Sequence, residues 1–238
     1  MIYVTQSWDD GVVDDVRLVE LLRKHRVQAT FNLVPGHYRA ERYLSDWRYL
    51  GTKEVHILSR SELPELYRDF EVASHSTTHP HLEQITADKL AWELAESREQ
   101  LEDIFQRPVR GLAYPFGSFN AAVKEEARRQ GFAYARTAIP GPEYDGGNHP
   151  HPVPAYRFPQ ADPMEFATTT HQRNPKFWDE FARAKAQGNY FHFWGHSYEF
   201  LDAAMWAEFE AKLARLCADP DVRWVTNLDL FTGHLPAS

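Results

Sequence analysis

Met1-Ile2-Tyr3-Val4-Thr5-Gln6-Ser7-Trp8-Asp9-Asp10-Gly11 opens the chain as a strand that runs straight into two acids and a glycine. Successive side chains on a strand point to opposite faces, so Asp9 and Asp10 can share one site only where the strand ends and the backbone turns, which Gly11 permits. Adjacent carboxylates repel, and both stay ionised at neutral pH most easily with a cation between or beside them. A second strand end, in Phe70-Glu71-Val72-Ala73, feeds Ser74-His75-Ser76-Thr77-Thr78-His79-Pro80. Two histidines four apart, with an aspartate supplied from elsewhere, give three N/O ligands and leave a position open for water, the arrangement of a catalytic zinc site. Alone, Asp-Asp-Gly is a common turn and His-x-x-x-His is more often a surface or capping pair. Their conjunction at the ends of two separate predicted strands points to a metal-dependent hydrolase.

Working outward, short apolar strands alternate with longer segments of helical period, the signature of an α/β fold with a parallel sheet. Asp14 can cap a helix carrying Val16, Val19, Leu21 and Leu22, followed by a strand from Ala29 to Val34. Thr86 stands where an N-cap belongs, before a helix to about Phe105 with Leu90, Leu94, Leu101 and Ile104 on one side. Val109 to Tyr114 makes the fourth strand, 120 to 130 a helix and Phe132 to Thr137 the fifth strand. From about 138 to 176 prolines at 140, 142, 150, 152, 154, 159, 163 and 175 break the pattern, leaving extended loop with one short strand around Tyr156-Arg157-Phe158. Regularity returns with a helix from Phe177 to Gln187, a strand from Tyr190 to Trp194 ending in Gly195-His196, a helix from Ala203 to Ala218, and Val222 to Thr226 closing the sheet. The expected architecture is a single-domain (β/α) barrel spanning 1–238, a distorted or incomplete TIM-like barrel of seven to eight strands. In such barrels chemistry sits at the C-terminal ends of the strands, where both motifs fall.

Length and composition agree with one full-sized domain: 238 residues, 43% apolar. A formal charge of −8 and the lack of a basic stripe argue against a nucleic-acid partner. No run approaches the roughly 18 apolar residues needed to span a bilayer. Without a basic segment, apolar run or cleavage site ahead of the first strand, the expected location is cytoplasmic. The lone Cys217, beside Leu213 and Leu216, reads as a buried core thiol.

Four ordered runs resemble the polysaccharide deacetylases, the NodB-homology group or carbohydrate esterase family four: Ser7-Trp8-Asp9-Asp10-Gly11, His75-Ser76-Thr77-Thr78-His79, Ala113-Tyr114-Pro115-Phe116-Gly117 and Trp194-Gly195-His196. The likeness runs from residue 1 to about 137 and resumes near 188. It implies Asp9 as general base, Asp10, His75 and His79 as ligands of a divalent metal (zinc foremost, with cobalt, nickel or manganese as alternatives), and His196 as general acid. It also implies the backbone N–H of Phe116 as a donor to the oxyanion, bracketed by Pro115 and Gly117. The implied reaction is removal of an acetyl group from an N-acetylated sugar or glycan precursor.

Two positions depart from the family pattern. Ala113 stands where an arginine normally pairs with the base, leaving Arg136, Arg157 or another basic group to replace it. The Asp-and-Trp motif that orients the acid has only Asp221 and Trp224 as counterparts, while Glu199 is a further candidate to tune His196. His192 is expected to be a core histidine deeper along the strand, and His149, His151 and His171 to be surface residues. Trp8, Tyr43, Trp47, Tyr114 and Trp194, in or beside strand-end loops, are candidate platforms for sugar rings, and the long loop from Gly36 to about Leu63 would form one wall of the site. Two other functions remain open at this stage: an amide or cyclic-imide hydrolase of the allantoinase-like branch, and a non-catalytic glycan-binding protein on the same scaffold. The oligomeric state is not legible.

Overall fold

In the computed structural model, which describes residues 1–138 and 156–235, the opening stretch becomes the strand around which the sheet is built. This is β1 (Ile2–Asp10), followed by α1 (Asp15–His25), β2 (Thr30–Leu33), the pair β3 (Tyr43–Tyr49) and β4 (Lys53–Ile57), α2 (Leu63–Leu66) and β5 (Glu71–Ser74). The chain continues through α3 (Ala87–Phe105), β6 (Gly111–Ala113), α4 (Ala121–Arg129), β7 (Tyr134–Arg136) and β8 (Thr170–His171). It ends with α5 (Phe177–Gln187), β9 (Tyr190–Gly195), α6 (Ala203–Ala218), β10 (Val222–Trp224) and α7 (Asn227–Thr232).

Parallel strands run in the order β7-β6-β5-β2-β1-β9-β8, with β10 beside the start of β1. The curled sheet closes through one irregular segment. Phe166 bridges Arg136 and exchanges backbone bonds with Ala135 and Thr137 (3.0 and 2.9 Å), and five residues on His171 pairs with Trp194 of β9. The result is a distorted seven-stranded α/β barrel, as expected. The closing segment is Phe166–His171, of which only β8 (Thr170–His171) is regular strand; β10 pairs only with β1.

Alternation along β1 shows how the sequence divides the barrel. Val4 and Trp8 face the surrounding helices, where Trp8 meets Phe209 edge to face at 5.1 Å. Thr5 and Ser7 face inward, where a buried polar group must find a partner: Thr5 Oγ1 donates to Asn227 Oδ1 (2.6 Å) and Ser7 Oγ bonds His192 Nε2 (2.9 Å). Burial pushes His192 well below its ordinary pKa, and it is the core histidine expected. The helices seal the outer face with Leu18, Val19 and Leu22 of α1 and Trp206, Phe209, Leu213 and Leu216 of α6.

Several expectations fail for local reasons. Residues 36–63 are not a structureless loop but carry the antiparallel β3–β4 hairpin, anchored by a Val12–Ile57 bridge and a Lys53–Asp14 ion pair at 2.8 Å. That pair takes Asp14's carboxylate, so it does not cap α1. Tyr156–Phe158 forms no strand; Asn189 takes both the N–H and the C=O of Phe158. Cys217 is exposed, one position past Leu216 and therefore about 100° around α6 from the buried stripe. Trp8 is fully buried and cannot serve as a sugar platform. No helix among the described residues is long and apolar enough to cross a membrane.

Candidate active site

The C-terminal ends of β1, β5, β6, β7, β8 and β9 line one cleft of about 520 Å³. Both acids of β1 reach it because the strand breaks there: Asp10 adopts φ 78° and Gly11 φ 67°. A Cβ on Gly11 would lie 1.9 Å from the Tyr38 hydroxyl, so only glycine fits the turn. Ser76, His79 and Phe116 also hold positive φ (62°, 59° and 58°), conformations that cost free energy outside glycine and cluster at functional sites.

Asp10, His75 and His79 converge. The two Nε2 atoms lie 3.1 Å apart and Asp10 Oδ1 lies 3.9 and 3.8 Å from them. His75 Nδ1 donates to the Ala113 carbonyl (2.8 Å), which leaves Nε2 bare toward the cleft. Burial holds His75 down to about 4, so it stays neutral. Tyr198 Oη donates to Asp10 Oδ2 (3.0 Å), so Oδ1 is the oxygen turned to the histidines. The bare Nε2 of His75, the Nε2 of His79 and a carboxylate oxygen around one point are a donor set that fits a divalent cation with three protein ligands. The loop between the histidines is tied to Glu93 of α3, whose carboxylate takes the N–H groups of Thr77 and Thr78 at 2.9 and 2.8 Å.

Asp9 sits beside this cluster with different partners. Arg136 Nη2 donates to both of its oxygens (2.7 and 2.5 Å) and Asn32 Nδ2 to Oδ1 (2.7 Å). Burial alone would raise Asp9, but the Arg136 charge and His75 outweigh it and hold the carboxyl well below the usual range. Of the basic groups weighed for Ala113's missing partner, it is Arg136 that faces Asp9, and its guanidinium is itself buried against Trp194.

His196 approaches from β9, its Nε2 3.8 Å from Asp10 Oδ2 and its Nδ1 3.0 Å from Glu199 Oε1. Burial would lower its pKa, but the bond and charge of Glu199 prevail and raise it to about 9. Glu199, not Asp221 or Trp224, is the carboxylate behind His196. Asp221 pairs on the surface with Lys185, and Trp224 packs against Phe193 away from the cleft. His171, expected on the surface, is buried and bonds Glu199 at 3.1 Å. His149 and His151 lie outside the described residues. Phe116 is 39% exposed and stacks on His81 with centroids 3.9 Å apart.

Of the aromatic candidates, Trp47 and Trp194 line the cleft with Tyr49 and Tyr198. Tyr114 lines it too, but is buried with its hydroxyl on the Met164 carbonyl, and Tyr43 turns its own to the His37 carbonyl. Sequence reasoning missed Asn32, Glu93 and Tyr198, and put His171 on the surface. Only Tyr198, between His196 and Glu199, carried a positional signal.

One cleft at the strand ends of a seven-stranded barrel gathers two acids from β1, two histidines from the end of β5 and a third from the end of β9, the composition of a hydrolase-like site. The family model described as polysaccharide deacetylase matches residues 2–135, more than half of the chain, which therefore belongs to that family. The chain is 23% identical over 137 residues to the putative polysaccharide deacetylase YxkH of Bacillus subtilis (strain 168), an alignment covering 57% of this chain and 44% of that protein. Among solved structures it resembles a polysaccharide deacetylase from Bacillus cereus (24% identity, TM-score 0.51, 75% of this chain and 49% of that one). It also resembles a family 4 carbohydrate esterase from Streptomyces lividans in complex with acetate (17%, TM-score 0.56, 93% and 91%). A further likeness is to a mutant of a pseudoenzyme of that esterase family with restored enzymatic activity (16%, TM-score 0.60, 96% and 67%). At these identities the likenesses show the fold.

Proposed function

We propose that the protein is a metal-dependent deacetylase that removes the acetyl group from an N-acetylated sugar or glycan precursor. The observation that carries this reading is the convergence of Asp10 Oδ1 and the Nε2 atoms of His75 and His79, with Arg136-bound Asp9 on one side and Glu199-bound His196 on the other. A divalent cation held by Asp10, His75 and His79, zinc by the nature of the ligands, would polarise the acyl carbonyl and lower the pKa of water toward ~7.

The chain's own groups divide the remaining work. Asp9, kept ionised by Arg136, accepts the proton of the attacking water, and Arg136 with Asn32 fixes its direction. The Phe116 N–H, held at φ 58° between Pro115 and Gly117, is the candidate donor to the oxygen on which negative charge develops. His196, protonated through the neutral range, gives its Nε2 proton to the departing nitrogen. Trp47, Tyr49, Trp194 and Tyr198 supply apolar and aromatic walls suited to the carbon faces of a sugar ring.

The test is metal analysis of protein purified without a histidine tag, followed by acetate release from N-acetylhexosamine oligomers, nucleotide sugars and lipid-linked sugars. About one equivalent of metal, and acetate release abolished by a chelator and restored by zinc or cobalt, are expected. Protein that neither carries nor takes up metal would defeat the reading.

A further inference from the structure

The carboxylate behind His196 is saturated from three sides. Glu199 Oε1 bonds His196 Nδ1 (3.0 Å) and His171 Nε2 (3.1 Å), and Oε2 accepts from Gln172 Nε2 (2.9 Å). His171 comes from β8, the closing strand, and its ring is held edge-on by Trp194 with centroids 4.8 Å apart. Gly195 makes room for the arrangement: a Cβ there would lie 2.5 Å from Gln172 Cγ and 3.3 Å from Glu199 Oε2.

His171, His196 and Glu199 are close enough together to hold a metal ion, but their protons say otherwise. His171 Nδ1 accepts the Arg173 backbone N–H (3.2 Å), and a neutral ring whose Nδ1 accepts carries its proton on Nε2. That nitrogen is the one facing Glu199, so His171 is a donor there. His75 is held in the opposite tautomer by the Ala113 carbonyl, with Nε2 bare. One histidine is prepared to ligate and the other to donate.

We infer that His171 is a positioning residue for the proton-donating step: with Gln172 it locks Glu199 so that Oε1 holds His196 Nδ1–H and the opposite edge of the ring, Nε2–H, faces the leaving group. This inference rests on the deacetylase reading. As the amide C–N bond breaks, its electron pair remains on nitrogen and the Nε2 proton transfers to it, leaving His196 neutral with Nδ1–H still on Glu199. An ester whose leaving group is stable as an anion needs no such proton.

The experiment compares wild type, His171→Ala and His171→Gln, each metal-loaded, on an N-acetylated sugar oligomer and on 4-nitrophenyl acetate. His171→Ala should lower kcat on the amide by about 10–100-fold while KM and metal content stay near wild type, and should change ester hydrolysis by less than about 3-fold. His171→Gln, whose amide N–H can replace the ring donor, should recover most of the loss. An independent readout is the His196 Nδ1–H proton resonance, expected downfield and slow to exchange in wild type and His171→Gln, and lost to exchange in His171→Ala. Equal losses on amide and ester, an unchanged resonance in His171→Ala, or a second equivalent of metal that disappears with His171 would overturn the inference. A wild type that turns over no amide would count against the deacetylase reading instead, and the resonance alone would then decide on His171.

Discussion

Ala113 and Arg136 are register partners on the neighbouring parallel strands β6 and β7, and it is Arg136 that reaches across to Asp9. The arginine that the family resemblance places on the third motif stands one strand over at the same level. Arg136→Ala should leave the buried Asp9 charge without its partner, costing about 3–5 kcal/mol of stability and most of the turnover. The double variant Arg136→Ala with Ala113→Arg should regain a large part of both, because side chains of register partners share a face. Thermal melts and kcat/KM decide; a double variant no better than Arg136→Ala alone would show that the position on β7 cannot be exchanged.

Roles within the acid pair should separate. Asp10→Ala or His79→Ala should lose metal and activity together. Asp9→Asn keeps shape but cannot accept the proton from water, so metal stays near one equivalent while turnover falls by on the order of 10²–10⁴-fold. Metal analysis beside kinetics checks this, and loss of metal from Asp9→Asn as complete as from Asp10→Ala would reverse the assignment.

Glu93 bonds to none of the three side chains proposed to hold the metal, yet it ties down the loop between His75 and His79. Through Thr77, Thr78 and the Lys89 ion pair it fixes the backbone that holds Ser76 and His79 at positive φ. Glu93→Ala should weaken metal affinity by about 10–100-fold with the fold retained. Competition with a chromogenic chelator measures the change, and unaltered affinity would disprove the link.

Asp15 gives the fold a pH dependence of its own. Fully buried, with Oδ1 lacking a hydrogen-bond partner among the described residues and Oδ2 held by Tyr67 Oη (2.6 Å), its carboxyl is pushed by burial up to about 7 from 3.8. The folded state binds this proton more tightly than the unfolded chain. Its contribution to stability is therefore fully present below about 3.8 and lost as pH rises through about 7. Asp15→Asn removes the penalty, so its Tm relative to wild type should rise by roughly 2–8 °C between pH 5 and pH 8. A Tm difference that stays constant across that range would argue against it.

The strands carrying the motifs were legible because β1, β2, β5 and β9 are short apolar runs whose ends bear unusual polar residues. What was not legible has a common cause in pairing at a distance. β8 is two residues long and exists because β9 lies beside it, with no propensity of its own. The β3–β4 hairpin leaves most of its surface exposed, so its alternation lacks a buried face to mark it. His171 meets Glu199 across 28 residues, and Arg136 meets Asp9 across 127, separations that only the closed barrel brings together. Choosing Arg136 over Arg157 required knowing which of them ends a strand.

The pairing of β1 also bears on how the chain folds. Tyr3 pairs with Tyr190 on one side and with Arg223 on the other, so the start of β1 is flanked on both sides by strands that lie far along the sequence from it. Contacts of such long sequence separation are slow to form, since loop-closure entropy is lost before any pairing compensates it. A fragment ending at Arg136 holds the stretch that marks the family yet lacks β9, β10 and the helix against which Trp8 packs. Expressed alone it should show neither a cooperative melt nor dispersed amide resonances. The stretch that carries this chain's ancestry is thus expected to need the later strands before it can fold.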